Sequence, residues 1–179
     1  MSGPVIGGRF ISGDLCRVIL DEVDRNAWWQ WSQIDSDGYT GVQLGFRRGT
    51  WCEVPRRCRR VVAGRLLAIG VGLRRQFGDF RGFEGPNLLR YGDGDFFRAH
   101  QDERSGRAWF RRRSVTIVAF LNDTGFAGGV LRLHGVDRGR VLDLRPRAGT
   151  FVAFPAETYH EVSPIHGGDR YTIVAWLYR

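Results

Sequence analysis

From residue 87 onward the chain is a succession of short apolar runs broken by turn residues. "NLLRYGDGDFFRAHQD", "SVTIVAFLND", "GGVLRLHG", "GRVLDLRP", "GTFVAFPAETYHEV" and "DRYTIVAWLYR" are rich in Val, Ile, Phe and Tyr, and Gly, Asp and Pro separate them. β-branched and aromatic side chains fit a pleated, half-buried surface, whereas Gly, Asp and Pro supply the angles that reverse a chain. A string of such runs predicts antiparallel strands, and hence a sandwich, barrel or jelly roll.

The first half reads differently. In "SGDLCRVILDEVDR" (12–25) the apolar residues Leu15, Val18, Ile19 and Val23 recur at helical spacing, with Ser12 placed to cap the helix and Asp14 suited to its first turn. "NAWWQW" (26–31) is an aromatic cluster leading to the turn "DSDG", and "GVQLGF" (41–46) reads as a short strand. "PRRCRRVVAGRLLAIGVGLRRQFG" (55–78) opens on Pro55, suited to a first helical position. Its Cys58, Val61, Val62, Leu66, Ile69 and Leu73 line one face, although Gly64, Gly70 and Gly72 weaken the helix. No linker or internal repeat divides the chain. The expectation is one domain over 1–179: a helical support region (1–86) and a β body (87–179), mostly β with N-terminal helices, an α+β arrangement.

At 179 residues the chain can build a full hydrophobic core. No stretch approaches the length of a membrane span, and "MSGPVIGGRF" lacks the apolar centre of a secretory signal, so the expected compartment is the cytoplasm. Cys16, Cys52 and Cys58 make an odd count without metal-type spacing and read as reduced, buried thiols. The net charge of +8 comes from 27 basic against 19 acidic residues, with arginine runs at 56–60 and 111–113. A solvated arginine-rich surface outweighs a dedicated anionic partner by about two to one, because composition rarely decides partners.

The chain has 4 histidines. His100 and Asp102 stand one residue apart in "YGDGDFFRAHQDERSG" and, on a strand, would share a face. Alone this spacing is weak, and a solvated pair at a strand end explains it as well. His160, at the end of another expected strand, adds weight. Two histidines and a carboxylate on neighbouring strands can form a facial triad that suits non-haem Fe(II). Arg170 then opens the last strand, where a buried arginine is costly unless it meets an anion. A dicarboxylate held by iron at one end would supply that anion at the other, and the planar guanidinium suits it.

With these residues in hand, the region from about residue 87 resembles the Fe(II)- and 2-oxoglutarate-dependent oxygenases of the prolyl 4-hydroxylase-like type. The matching stretches, in order, are "RYGDGDFFRAHQD", "RSVTIVAFLND", "GGVLRL", "AGTFVAFP" and "YHEVSPIHGGDRYTIVAW". The resemblance implies a double-stranded β-helix, or jelly roll, buttressed by helices. It implies His100, Asp102 and His160 as iron ligands and Arg170 as partner of the distal carboxylate of 2-oxoglutarate. Tyr91 matches a tyrosine that hydrogen-bonds this co-substrate, and Trp176 would stand on the barrel wall near substrate; a plain core aromatic is an equally good reading of each. Two departures stand out. Phe120-Leu121-Asn122 replaces a frequent Tyr-Leu-Asn whose hydroxyl also holds 2-oxoglutarate, so either Arg170 has other polar help or the co-substrate binds less tightly. The loop "ERSGRAWFRRR" is strongly basic, which the family as a whole is not.

The implied reaction hydroxylates an aliphatic C–H with loss of carbon dioxide from 2-oxoglutarate, with ascorbate as an optional reductant. The carboxylate Asp102 favours hydroxylation over halogenation, which in this superfamily opens that position to chloride. Trp176 stands where nucleic-acid-dealkylating relatives carry a second arginine, which ranks a nucleic-acid substrate low. Three readings remain open: a hydroxylase of a prolyl or other residue in a protein or peptide, a hydroxylase of a free amino acid or small natural product, and a non-enzymatic basic binding domain. The basic loop, through Trp109, Arg111, Arg112 and Arg113, points to a substrate with an acidic group. His134 and His166 read as surface, and Gly128 and Gly129 as a tight turn.

Overall fold

The structure, a computed structural model, describes residues 5–36, 39–103 and 112–179. Its first part forms β1 (Ile6–Arg9), α1 (Gly13–Asn26), β2 (Gln30–Trp31), β3 (Ile34–Ser36), β4 (Tyr39–Gly41), β5 (Arg47–Arg48), β6 (Thr50–Glu53) and α2 (Arg56–Phe77). Then come β7 (Gly82–Tyr91), β8 (Phe96–His100), β9 (Arg113–Phe120), β10 (Ala127–Gly128), β11 (Leu131–Gly135), α3 (Val136–Gly139) and β12 (Arg140–Leu144). The chain closes with β13 (Thr150–Pro155), β14 (His160–Val162), β15 (Ile165–His166) and β16 (Arg170–Tyr178).

A seven-stranded sheet, in the order β1-β13-β9-β16-β7-β6-β2, faces a five-stranded sheet, β12-β11-β14-β8-β5. The expected jelly roll is therefore present, with its neighbouring strands antiparallel. Strand alternation divides the apolar residues between two layers. In β9, Val115, Ile117 and Ala119 pack with Ile19, Val23, Val62 and Leu66 of the helices. Val118 and Phe120 point the other way, toward Leu131, Leu133 and Phe154 between the sheets. The second layer encloses the cavity described below.

Both expected helices form. The Ser12 side chain accepts from the Leu15 N–H, as its place before an apolar-periodic run predicts. Pro55 takes the N-cap position of α2, one residue earlier than expected. The buried face of α2 is Cys58, Val62, Leu66, Gly70, Leu73 and Phe77. Val61 does not belong to it and is 46% exposed, because the stripe is set by the line through Val62 and Leu66. Gly70 stands on the buried face because its missing side chain leaves room for Leu177. All three cysteines are buried and unpaired, and burial pushes the Cys52 thiol up to about 11, which keeps it inert at neutral pH.

Residues 1–86 add more than helical support. β1 extends the large sheet beside β13, β6 and β2 extend it beside β7, and β5 pairs with β8. The strand expected at 41–46 is instead a turn, held by the Phe46 and Arg47 N–H groups donating to the Gln43 carbonyl.

Gly128 and Gly129 do turn the chain, at φ of 70° and 60°. A Cβ on Gly128 would stand 2.0 Å from the Pro164 carbonyl oxygen. Gly128→Ala should therefore destabilise the fold by at least about 2 kcal/mol, the sum of a left-handed alanine and a displaced backbone. Chemical denaturation checks this; a midpoint equal to wild type would contradict it.

Candidate active site

His100 and His160 lie directly opposite each other, where β8 pairs with β14. β8 ends at His100, so Asp102 is not its strand-mate as the spacing suggested. The chain instead turns there, with the Asp102 and Glu103 N–H groups donating to the Ala156 carbonyl at 2.9 and 3.3 Å. The turn still carries the carboxylate inward. Asp102 Oδ1 lies 3.6 Å from His100 Nε2, and Oδ2 lies 3.6 Å from His160 Nε2. The three side chains each present a ligand atom within 4.8 Å of the other two.

Backbone carbonyls fix both rings. His100 Nδ1 is 2.8 Å from the Arg98 carbonyl and His160 Nδ1 is 2.9 Å from that of Thr158. A carbonyl only accepts, so each Nδ1 carries the proton and each Nε2 keeps its lone pair toward Asp102. Phe97 stacks on His100 with centroids 3.5 Å apart, and Phe154 meets His160 edge-on at 4.9 Å. The Thr116 hydroxyl donates to Asp102 Oδ2 at 2.6 Å.

The protonation states follow from these neighbours. Burial, helped by His100, holds the His160 imidazole down to about 4, so it is neutral at physiological pH. Burial opposes the charge on Asp102, but the two imidazoles and the Thr116 hydroxyl hold its carboxyl well below the usual range. A carboxylate and a lone-pair-bearing imidazole are the forms in which these groups bind a metal. Two nitrogens and one oxygen converging from one side fit Fe(II) with open positions opposite.

The trio borders a cavity of about 790 Å³ between the sheets. β16 supplies one wall, because Arg170, Thr172, Val174 and Trp176 alternate onto that face. Arg170 is 2% exposed, and its Nη2 has no hydrogen-bond partner among the described residues. Burial pushes this guanidinium down to about 10, so it stays charged. It lies over Tyr91 and Phe120, 5.8 and 5.1 Å from their ring centroids. Gly129 makes room for it, since a Cβ there would come within 2.8 Å of Arg170 Cδ. A buried cation without an acidic neighbour is stable only if an anion can reach it.

A family model for the 2OG-Fe(II) oxygenase superfamily matches residues 86–178. The chain belongs to this superfamily. Among named oxygenase relatives, a PKHD-type hydroxylase of Shewanella oneidensis is 26% identical over 152 residues, 81% of this chain and 58% of that protein. The chain thus spans less than two thirds of that relative's length. A PKHD-type hydroxylase of a Synechococcus species is 35% identical over 68 residues, covering 37% of this chain and 30% of its own length. A solved Pseudomonas putida prolyl-4-hydroxylase superposes with a TM-score of 0.75 at 23% identity, over 99% of this chain and 93% of that one. A Trichoplax adhaerens prolyl hydroxylase, solved with a hypoxia-inducible-factor peptide fragment, gives 0.80 at 18%, over 98% and 82%. At such identities these structures share the oxygenase fold.

The remaining sequence candidates fall in different places. Tyr91 is buried on the cavity wall, in register with Arg170. Trp176 lines the same cavity, and its Nε1–H is buried with no partner among the described residues. Arg113 is not part of a solvated loop. It opens β9, pairs with Glu84 through Nε and Nη2, and lies 3.7 Å over the Trp176 ring. Arg112 is exposed beside it. Trp109 and Arg111 lie outside the described residues. His166 is exposed, whereas His134 is half-buried beside Glu161 at 3.5 Å. Sequence reasoning passed over Thr116 and Phe97, and read Gly129 only as part of a tight turn. Thr116 was open to discovery, because alternation along "SVTIVAF" puts its hydroxyl on the same face as Val118, which lines the cavity. Phe97 and Gly129 leave no such signal; their roles come from packing.

Proposed function

We propose that this chain is an Fe(II)- and 2-oxoglutarate-dependent hydroxylase acting on an aliphatic C–H of a prolyl or other amino-acid residue in a peptide or protein. The observation that carries this reading is one cavity that holds a His-Asp-His trio on one wall and, on another, a buried Arg170 whose Nη2 has no partner among the described residues. In this reading residues 1–179 act as one oxygenase unit, with 1–86 as support and 87–179 bearing the site. Hydroxylation is favoured by the PKHD-type hydroxylase relatives, and a peptide target by the neighbour solved with a peptide fragment. A free amino acid or small natural product is the second reading, which the same cavity can accommodate.

His100, Asp102 and His160 would hold the metal, and Arg170 with Tyr91 would hold the co-substrate's far carboxylate. Bound Fe(II) and 2-oxoglutarate supply activation of dioxygen, with succinate, carbon dioxide and hydroxylated product as the outcome. The chain's own share is geometric and electrostatic. The Arg98 and Thr158 carbonyls hold both Nδ1 atoms and keep both Nε2 atoms turned inward, where a metal would take them. Thr116 holds the Asp102 carboxylate at a fixed angle. Leu89, Val118, Leu131 and Val174 keep the space around the trio apolar and exclude water. Trp176 and Arg113 would flank the substrate, with the Glu84 pair fixing the guanidinium so that it stacks on the indole.

Since Glu84 neutralises Arg113, the charge that attracts an acidic substrate falls to the rest of the basic segment, of which Arg112 is exposed. Incubation with 2-oxoglutarate, Fe(II) and a library of proline-containing peptides tests the reading. Peptides with acidic flanks should gain one oxygen atom and yield equimolar succinate. Replacing Arg111 and Arg112 by Ser should raise the peptide KM about tenfold at low salt, leave the 2-oxoglutarate KM unchanged, and lose its effect as salt rises. Turnover confined to neutral or basic peptides would contradict the acidic-substrate reading; turnover of free amino acids alone would favour the second.

A further inference from the structure

We propose that the groove between the end of α1, the edge of β6 and the head of α2 is a docking site for an acidic stretch of the peptide substrate, outside the reaction centre. The inference rests on the peptide-hydroxylase reading of the cavity and adds a second place where that peptide is held.

The groove encloses about 670 Å³, and Val23, Ala27, Trp28, Val54 and Pro55 give it apolar walls. It adjoins the reaction cavity, because Gln30 and Trp51 line both. A peptide lying across these two side chains would have one part in the cavity that the His-Asp-His trio borders and the next part in the groove.

One wall is a strand edge. β6 pairs with β7 along its whole length, but β2 covers only Thr50 and Trp51 on the other side. Among the described residues, Cys52 and Glu53 therefore have no strand beside them there, and both line the groove. An unpaired edge is a template for an added strand, and an extended peptide is the ligand that fits one. Trp28, also on the groove wall, is 83% exposed. A large indole of this kind anchors a partner once it is covered.

Charge selects the peptide. α2 has no acidic residue, and its Arg56, Arg57 and Arg59 line the groove. Glu22 lies 3.9 Å from Arg57, and Glu53 lies 2.6 Å from Arg59. Arg56 is exposed and has no carboxylate partner among the described residues, so the groove keeps a net positive charge. An acidic side chain on the added strand would meet that charge. A nucleic-acid strand, with a phosphate at every residue, would also run into Glu22 and Glu53, which disfavours it.

Fluorescence anisotropy with labelled peptides tests the site apart from turnover. Two probes share a proline-containing segment, and the longer one adds extensions with glutamate at alternate positions. The longer probe should bind wild type about tenfold more tightly than the shorter, and the advantage should shrink as salt rises. Trp28→Ala and Arg56→Ser, both at exposed positions, should each remove most of that advantage while the short probe's affinity and turnover stay unchanged. N-methylating the backbone amides of the extensions should bring the longer probe down to the level of the short one, since an added strand needs those N–H groups. Three results would overturn the docking site and leave the hydroxylase reading in place: full affinity for the longer probe in both variants, undiminished binding of the N-methylated probe, or a single-stranded oligonucleotide that displaces the longer probe and binds more tightly. Groove-dependent binding with no oxygen added to any proline-containing peptide would overturn both.

Discussion

His160→Ala should abolish succinate formation and weaken Fe(II) binding by more than about a hundredfold. Losing a group that merely orients a ligand typically costs 10–100-fold in metal affinity, so losing the ligand itself costs more. His160 is the most buried of the trio, and its Nδ1 is already committed to the Thr158 carbonyl, so no neighbouring imidazole can swing into its place. The fold should survive, because β14 is held by backbone pairing to β11 and β8 rather than by this ring. His134→Ala is the matched control. It removes a histidine of the same sheet that lies beside Glu161 and not on the cavity wall, and turnover should be unchanged. Equilibrium dialysis with Fe(II) and a succinate assay on both variants provide the check; an active His160→Ala variant would sink the metal-site assignment.

Arg170→Ala should weaken 2-oxoglutarate binding by two to four decades. Removing one partner of a buried charge pair costs about 3–5 kcal/mol, and each 1.4 kcal/mol is a factor of ten. The sign of the stability change distinguishes this account from a structural role. Without co-substrate the Arg170 guanidinium is buried with Nη2 unpaired among the described residues, which burdens the fold. Arg170→Met, which keeps much of the volume, should therefore melt at or above the wild-type temperature while losing 2-oxoglutarate binding. A large fall in melting temperature with little change in co-substrate affinity would mark Arg170 as a structural residue.

Much of this architecture was legible in the chain. The strands of the second half are long enough for alternation to be visible, and in β16 alternation alone places Arg170 and Trp176 on one face. The short strands β2, β5 and β6 were not legible. They span two to four residues, too few for a pattern, and exist because β7 offers an edge to β6, β6 in turn to β2, and β8 to β5. Val61 was misplaced because glycines interrupt the α2 stripe, so neighbouring apolar residues compete for the buried line. The His100, Asp102 and His160 cluster was legible through the residue types, although the reason given for His100 and Asp102 facing the same way does not hold. The strand ends between them, and it is the turn tied to Ala156 that turns the carboxylate inward.

The central claim is that one cavity holds metal and co-substrate together. Anaerobic addition of Fe(II) and then 2-oxoglutarate to the purified protein tests it before any substrate is known. The account predicts a weak visible charge-transfer band that needs both additions, saturates with equimolar co-substrate, and is missing in His160→Ala. A protein that binds Fe(II) but shows no spectral response to 2-oxoglutarate, or gives the same response without His160, would contradict it.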